Sequence, residues 1–138
     1  MLLVCAGCGR SEGEAFREDT LRPLQQRLDR QRARVAATLR VVRPGNGRDA
    51  RAVREDVHAL AAGVRDVSEL APPKDARGEF DAYVRALRDL VGALRAYPPA
   101  LRRGEGATVL TAVSGRVRDA TGRVQQRQEE LERRLLTV

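Results

Sequence analysis

The stretch "VREDVHALAAGVRDVSELAPP", residues 53–73, carries the pattern on which the fold turns. Val53, Val57, Leu60, Val64, Val67 and Ala71 recur four, three, four, three and four positions apart. That spacing lays one apolar stripe along one face of a helix, whereas a half-buried strand would alternate every second residue. Pro72-Pro73 ends the helix, because neither nitrogen can donate and each ring disfavours helical backbone in the residue before it.

Working outward, the same period recurs on both sides. Downstream, Phe80, Tyr83, Val84, Leu87, Leu90, Val91, Leu94 and Tyr97 form a wider stripe. It holds three of the four aromatic residues, the fourth being Phe16, and is therefore expected to sit deepest. Asp75 is its expected cap, and Pro98-Pro99 close it with one further turn through Leu101 before Gly104-Glu105-Gly106. A last helix carries Leu110, Val113, Val117, Ala120, Val124, Leu131, Leu135 and Val138, interrupted at Arg127 or Gln128. Upstream, Leu21, Leu24, Leu28, Gln31, Val35, Thr38 and Val42 mark a first helix, separated from the second by the turn Pro44-Gly45-Asn46-Gly47. Asn46 or Asp49 starts the second helix.

Four amphipathic segments with short connections predict an all-α fold, an antiparallel up-down four-helix bundle. The alternative is a three-helix core with a projecting terminal helix. Leu, Val and Ala supply nearly all the apolar volume and there is no Trp, which suits narrow aliphatic seams between helices. At 138 residues one core is expected, not two. The bundle domain is placed at residues 21–138. Ser11-Glu12-Gly13-Glu14 fits a capping box, but Pro23 predicts a kink or a restart capped by Thr20, so residues 8–20 are expected to form an N-terminal tether.

Both cysteines lie in "VCAGCGRSE", residues 4–12. A zinc site would need four ligands, and beyond Cys5 and Cys8 the only other obvious donor is His58. A thioredoxin-type site would need a strand before the pair, and none is legible. Met1-Leu2-Leu3-Val4 is apolar, Ala6-Gly7 are small, and polar residues follow Cys8 at once. This resembles the lipobox of bacterial lipoproteins, with Cys5 standing where that family has Leu. The resemblance implies that residues 1–7 are the remnant of a signal peptide, that the reading frame extends upstream, and that Cys8 is the lipidated mature N-terminus. It implies a membrane anchor through the lipid on Cys8 and a place in the bacterial cell envelope, facing the periplasm or exterior. The stretch "LAPPKDARGEFDAYVRALRDLVGALRAY", residues 70–97, is similar to segments of small bacterial lipoproteins in which an aromatic-bearing helix follows Pro-Pro. That similarity supports the class and names no chemistry.

The net charge of +7 invites a polyanion partner, yet every basic residue except Lys74 is arginine, which a GC-rich genome writes without selection for binding. Arg27, Arg30 and Arg34 line one face of the first helix and are the candidate contact with an anionic surface. Single-stranded nucleic acid is poorly supported, since no aromatic residue stands among these arginines. His58, alone in the chain, reads as a surface side chain, and Arg54, Glu55 and Asp56 beside it as solvation. Glu129, Glu130 and Glu132 stand among arginines and read as local ion pairs. No phosphate loop is legible, and no catalytic residue, cofactor or metal site is assigned. Gly92, Gly115 and Gly122 fall on outward positions. The expected role is binding or scaffolding through helix faces. A cytoplasmic basic bundle on nucleic acid and a coiled-coil adaptor for a protein partner are the alternatives.

Overall fold

The structure, a computed structural model, describes residues 9–138. Cys8 and the expected signal remnant lie outside the described residues. The described chain is all helical and forms a four-helix bundle. The principal helices are α2 (Arg22–Val41), α3 (Gly47–Ser68), α4 (Arg77–Leu94) and α6 (Ala107–Leu135), with shorter α1 (Glu12–Ala15) and α5 (Tyr97–Arg102). The apolar stripes converge on one core that includes Leu28 and Val35 of α2, Val53, Leu60 and Val67 of α3, Leu87 and Leu90 of α4, and Val124 and Leu131 of α6.

The tether expected at residues 8–20 is corrected from Ser11 onward. Ser11 caps α1, accepting from the Glu14 backbone N–H at 3.2 Å. The chain then stays helical through a π-helical stretch, Phe16–Leu21, directly into α2. Pro23 explains that stretch: it has no N–H, and its ring would crowd the carbonyl four residues back in a regular α-helix. Widening to a π turn, with the Arg22 N–H donating to the Arg17 carbonyl, carries the helix past it. Neither the kink-and-restart nor a Thr20 cap is needed, and Phe16 and Leu21 are buried. Phe16 meets Phe80 of α4 edge-on, with centroids 6.0 Å apart and planes at 79°. Gly13 allows the close approach behind this: its N–H donates to the Val138 carbonyl at 3.4 Å, and its α-carbon lies against the backbone of Leu135.

At the opposite end, the α2–α3 and α5–α6 turns pack on each other. Gly45 and Gly104 both hold positive φ, 81° and 65°, and the Gly45 N–H donates to the Leu101 carbonyl at 2.7 Å. Asn46 caps α3, accepting from the N–H groups of Arg48 and Asp49. Asp75 is not the cap of α4. It lies in a 3-10 turn, Lys74–Ala76, and its backbone carbonyl accepts from Arg134 Nε at 2.9 Å. Pro98-Pro99 do not merely close α4; they occupy the first turn of α5, where a missing N–H costs nothing.

Tyr83 sits in the core beside Gln25, the one buried polar side chain among the described residues. Burial pushes its phenol up to about 12, against a smaller lowering effect of Gln25. Unfolded tyrosine ionises near 10, so between about pH 10 and pH 12 the unfolded chain holds fewer protons and stability falls as pH rises. The expected loss is about 2 kcal/mol by pH 12 and about 3 kcal/mol once complete above the folded value. Urea unfolding at pH 9 and pH 12 reads it, and Tyr83→Phe should flatten the decline. A decline of equal size in Tyr83→Phe would place its cause elsewhere.

Candidate functional site

The seam between α3 and the α4–α5 segment is lined by arginine. On α3, Arg51 and Arg54 stand one turn apart, His58 follows one turn later, and Arg65 lies further along. Facing them are Arg85, Arg88 and Arg95 of the α4 side and Arg102 of α5. Helical spacing makes this possible: positions flanking the apolar stripes of two adjacent helices project toward the same crevice. The buried partners beneath them, Val57, Val64, Val84 and Val91, form the apolar floor.

The crevice is widest between Arg51, Arg54, His58, Arg95 and Arg102, where Pro98 and Pro99 form one wall and the volume is about 890 Å³. It continues past Arg95 into a hollow of about 350 Å³ bearing Arg65, Ser68 and Arg88. Glu55 and Asp81 are the carboxylates on its walls. Along α3, from Arg51 to Arg65, the trough runs about 20 Å at 1.5 Å per residue.

Off the seam, arginines are of two kinds. Some are paired with carboxylates; others, such as Arg30, Arg34, Arg40 and Arg123, are exposed and in no ion pair among the described residues, but line no shared crevice with those of the seam. Nine arginines sit in ion pairs with carboxylates, and among the described residues none of the nine is one of the seven in this seam. Exposed ion pairs contribute little to stability, so the contrast bears on field, not on folding. Seven neighbouring cations with two carboxylates concentrate positive potential in a concave site, the arrangement that attracts anions.

The residues singled out in the sequence fall elsewhere. Arg27 hydrogen-bonds Asp66 of α3 at 2.7 Å, which ties α2 to the flank of α3 away from the seam. Arg30 and Arg34 are exposed on α2 and join no cluster with the seam. The Arg54–His58 run divides: Asp56 turns toward α2 and accepts from the Thr38 hydroxyl at 2.5 Å, while Arg54, Glu55 and His58 line the trough. Glu130 accepts from Arg127 at 2.9 Å, and that bond holds its carboxyl below the usual range. Gly92, Gly115 and Gly122 face open space, with nothing within 4 Å of where an alanine methyl would sit.

A second concavity, about 600 Å³, lies between α2 and α6 and is lined by Leu39, Val42, Tyr97 and Leu110. Val41 and Val109 stand exposed near it. Among the described residues no group of three or more His, Cys, Asp and Glu is placed to hold a metal ion. No described helix is long and apolar enough to cross a membrane. No family model, curated protein or solved structure matches the chain.

Proposed function

We propose that the protein is a non-catalytic binding module of the bacterial cell envelope, a helical bundle anchored by a lipid on Cys8. The observation that carries the binding role is the arginine seam, where seven guanidinium groups without ion-pair partners among the described residues gather along a concave surface that bears two carboxylates. The address rests on the lipobox-like Val4-Cys5-Ala6-Gly7-Cys8. Only Gly9 and Arg10 separate Cys8 from the cap Ser11, a reach of about 10 Å at full extension. A lipid on Cys8 therefore holds the α1 end of the bundle against the membrane, while the Arg51 and Arg102 end of the seam lies toward the opposite end.

Intact mass and membrane fractionation of the protein expressed with its full upstream region, beside Cys8→Ser, test the address. Acylation at Cys8 and release of the variant into the soluble fraction are expected. An unmodified, soluble product in both cases would overturn the anchor. The seam itself favours a second reading, a cytoplasmic bundle on nucleic acid. Against it, Phe80 is buried in the core, and the exposed His58 imidazole is the single aromatic ring open along the seam, where a strand of bases would need several.

A further inference from the structure

We infer that the α3/α4–α5 trough takes an extended phosphate chain without bases, of the polyphosphate or polyol-phosphate kind, lying along the helices with its phosphates on Arg51, Arg54, Arg95 and Arg102. This rests on the binding reading above and names its ligand class; it does not depend on the lipid anchor.

Shape comes first. The cationic groups line both walls of a continuous trough, sharing Arg95 between its two hollows. A point anion would use two or three guanidinium groups and leave the others uncompensated. A planar bilayer meets protruding side chains and cannot enter a crevice between helices. A flexible chain can follow the trough and neutralise each arginine in turn.

Charge density agrees. Seven arginines less two carboxylates, over about 20 Å, leave roughly one uncompensated cation per 4 Å. A phosphodiester strand in a duplex carries one charge per ~3.4 Å, a close match. The planar guanidinium fork binds phosphate oxygens in pairs, which orients the chain as well as attracting it. The walls offer proline and aliphatic surface and no exposed Phe, Tyr or Trp; the His58 imidazole is the one aromatic ring open along them, too little for successive bases to stack on.

The test uses the full chain and end-labelled long-chain inorganic polyphosphate, read by fluorescence anisotropy at about 50 mM and about 200 mM salt. Binding should fall steeply with salt, and orthophosphate should compete poorly at equal phosphate concentration, because it cannot release counterions from several arginines at once. The variant R51Q/R54Q/R95Q/R102Q should bind roughly 100-fold more weakly. The decisive comparison is R30Q/R34Q/R40Q/R123Q, which removes the same charge from exposed sites off the seam and should bind within about threefold of wild type. Circular dichroism checks that each variant is folded, and the doubles R51Q/R54Q and R95Q/R102Q replace the fourfold variant if it is not. Equal losses in the two fourfold variants would reduce the effect to net charge and overturn the proposal. Tighter binding to an oligothymidylate of equal charge would assign the trough to nucleic acid. Seam-dependent binding to anionic phospholipid vesicles in the absence of polyphosphate binding would assign it to the membrane. No binding at the lower salt would leave the seam a solvated surface and end the inference.

Discussion

Phe16→Ala is expected to lower the unfolding free energy by about 3 kcal/mol, at the lower end of the range for truncating a buried phenylalanine. Phe16 is 8% exposed and its ring meets Phe80 edge-on, so alanine forfeits both burial and the aromatic pair. The lower end applies because the ring keeps some exposure and so has less burial to lose. Thermal unfolding should show a fall in Tm of roughly 10 °C. A tether would behave otherwise. If residues 8–20 only linked an anchor to a bundle beginning at Leu21, the substitution would leave the midpoint unchanged.

Gly13→Ala and Gly115→Ala should have opposite signs, although the chemical change is identical. Both glycines are helical, and alanine in a helix interior is worth about 1 kcal/mol more than glycine. At Gly115 the new methyl meets nothing within 4 Å, so the gain should appear nearly whole. At Gly13 it would press on the carbonyl of Leu135, 2.9 Å from the carbonyl carbon and 3.1 Å from the α-carbon. Leu135 ends α6 but is fully buried, and its backbone yields less readily than a side-chain tip, so α1 must back away. The expected net loss is about 2 kcal/mol, with the Gly13–Val138 hydrogen bond broken. Urea unfolding of the two variants measures it, and stabilisation by both would show that α1 does not dock on α6. A loss at Gly115 would point to a partner helix seated on that face.

The four long helices are legible because their apolar residues keep the 3.6-residue period and their turns carry Gly, Pro and Asn. The second of them shows this most directly, with its seam from Val53 to Val67 buried throughout. The N-terminal segment misleads because Pro23 signals a break in any regular α-helix. A π turn absorbs a proline without ending the helix, and no residue pattern announces it; an aromatic side chain at Phe16, here buried, is the available hint. Asp75 fails as a cap because Pro72-Pro73 lead into a 3-10 turn, which shifts the start of α4 past it.

The arginine seam escapes a reading of the sequence for a different reason. Each helix alone shows arginines flanking an apolar stripe, which is what any solvated amphipathic helix shows. Only packing decides which flanks face each other. A signal is present in Arg88, Arg95 and Arg102, seven residues apart, opposite Arg51, Arg54 and Arg65 on the neighbouring helix. The first helix draws attention instead, because Arg27, Arg30 and Arg34 are closer in sequence. Pairing with Asp66 removes Arg27 from that set. Net charge, in this chain, says less than which arginines the packing gathers into one trough.

The most direct measurement is an NMR titration of the full chain with long-chain polyphosphate, following the arginine side-chain Nε–H signals. The seam account predicts that Arg51, Arg54, Arg95 and Arg102 shift first and together, with Arg65 and Arg88 following as the trough fills. Arg30, Arg34 and Arg123 should stay near their starting positions until those sites are saturated. Shifts spread evenly over exposed arginines on every helix would contradict the account, because the protein would then be answering the polymer with its net charge alone.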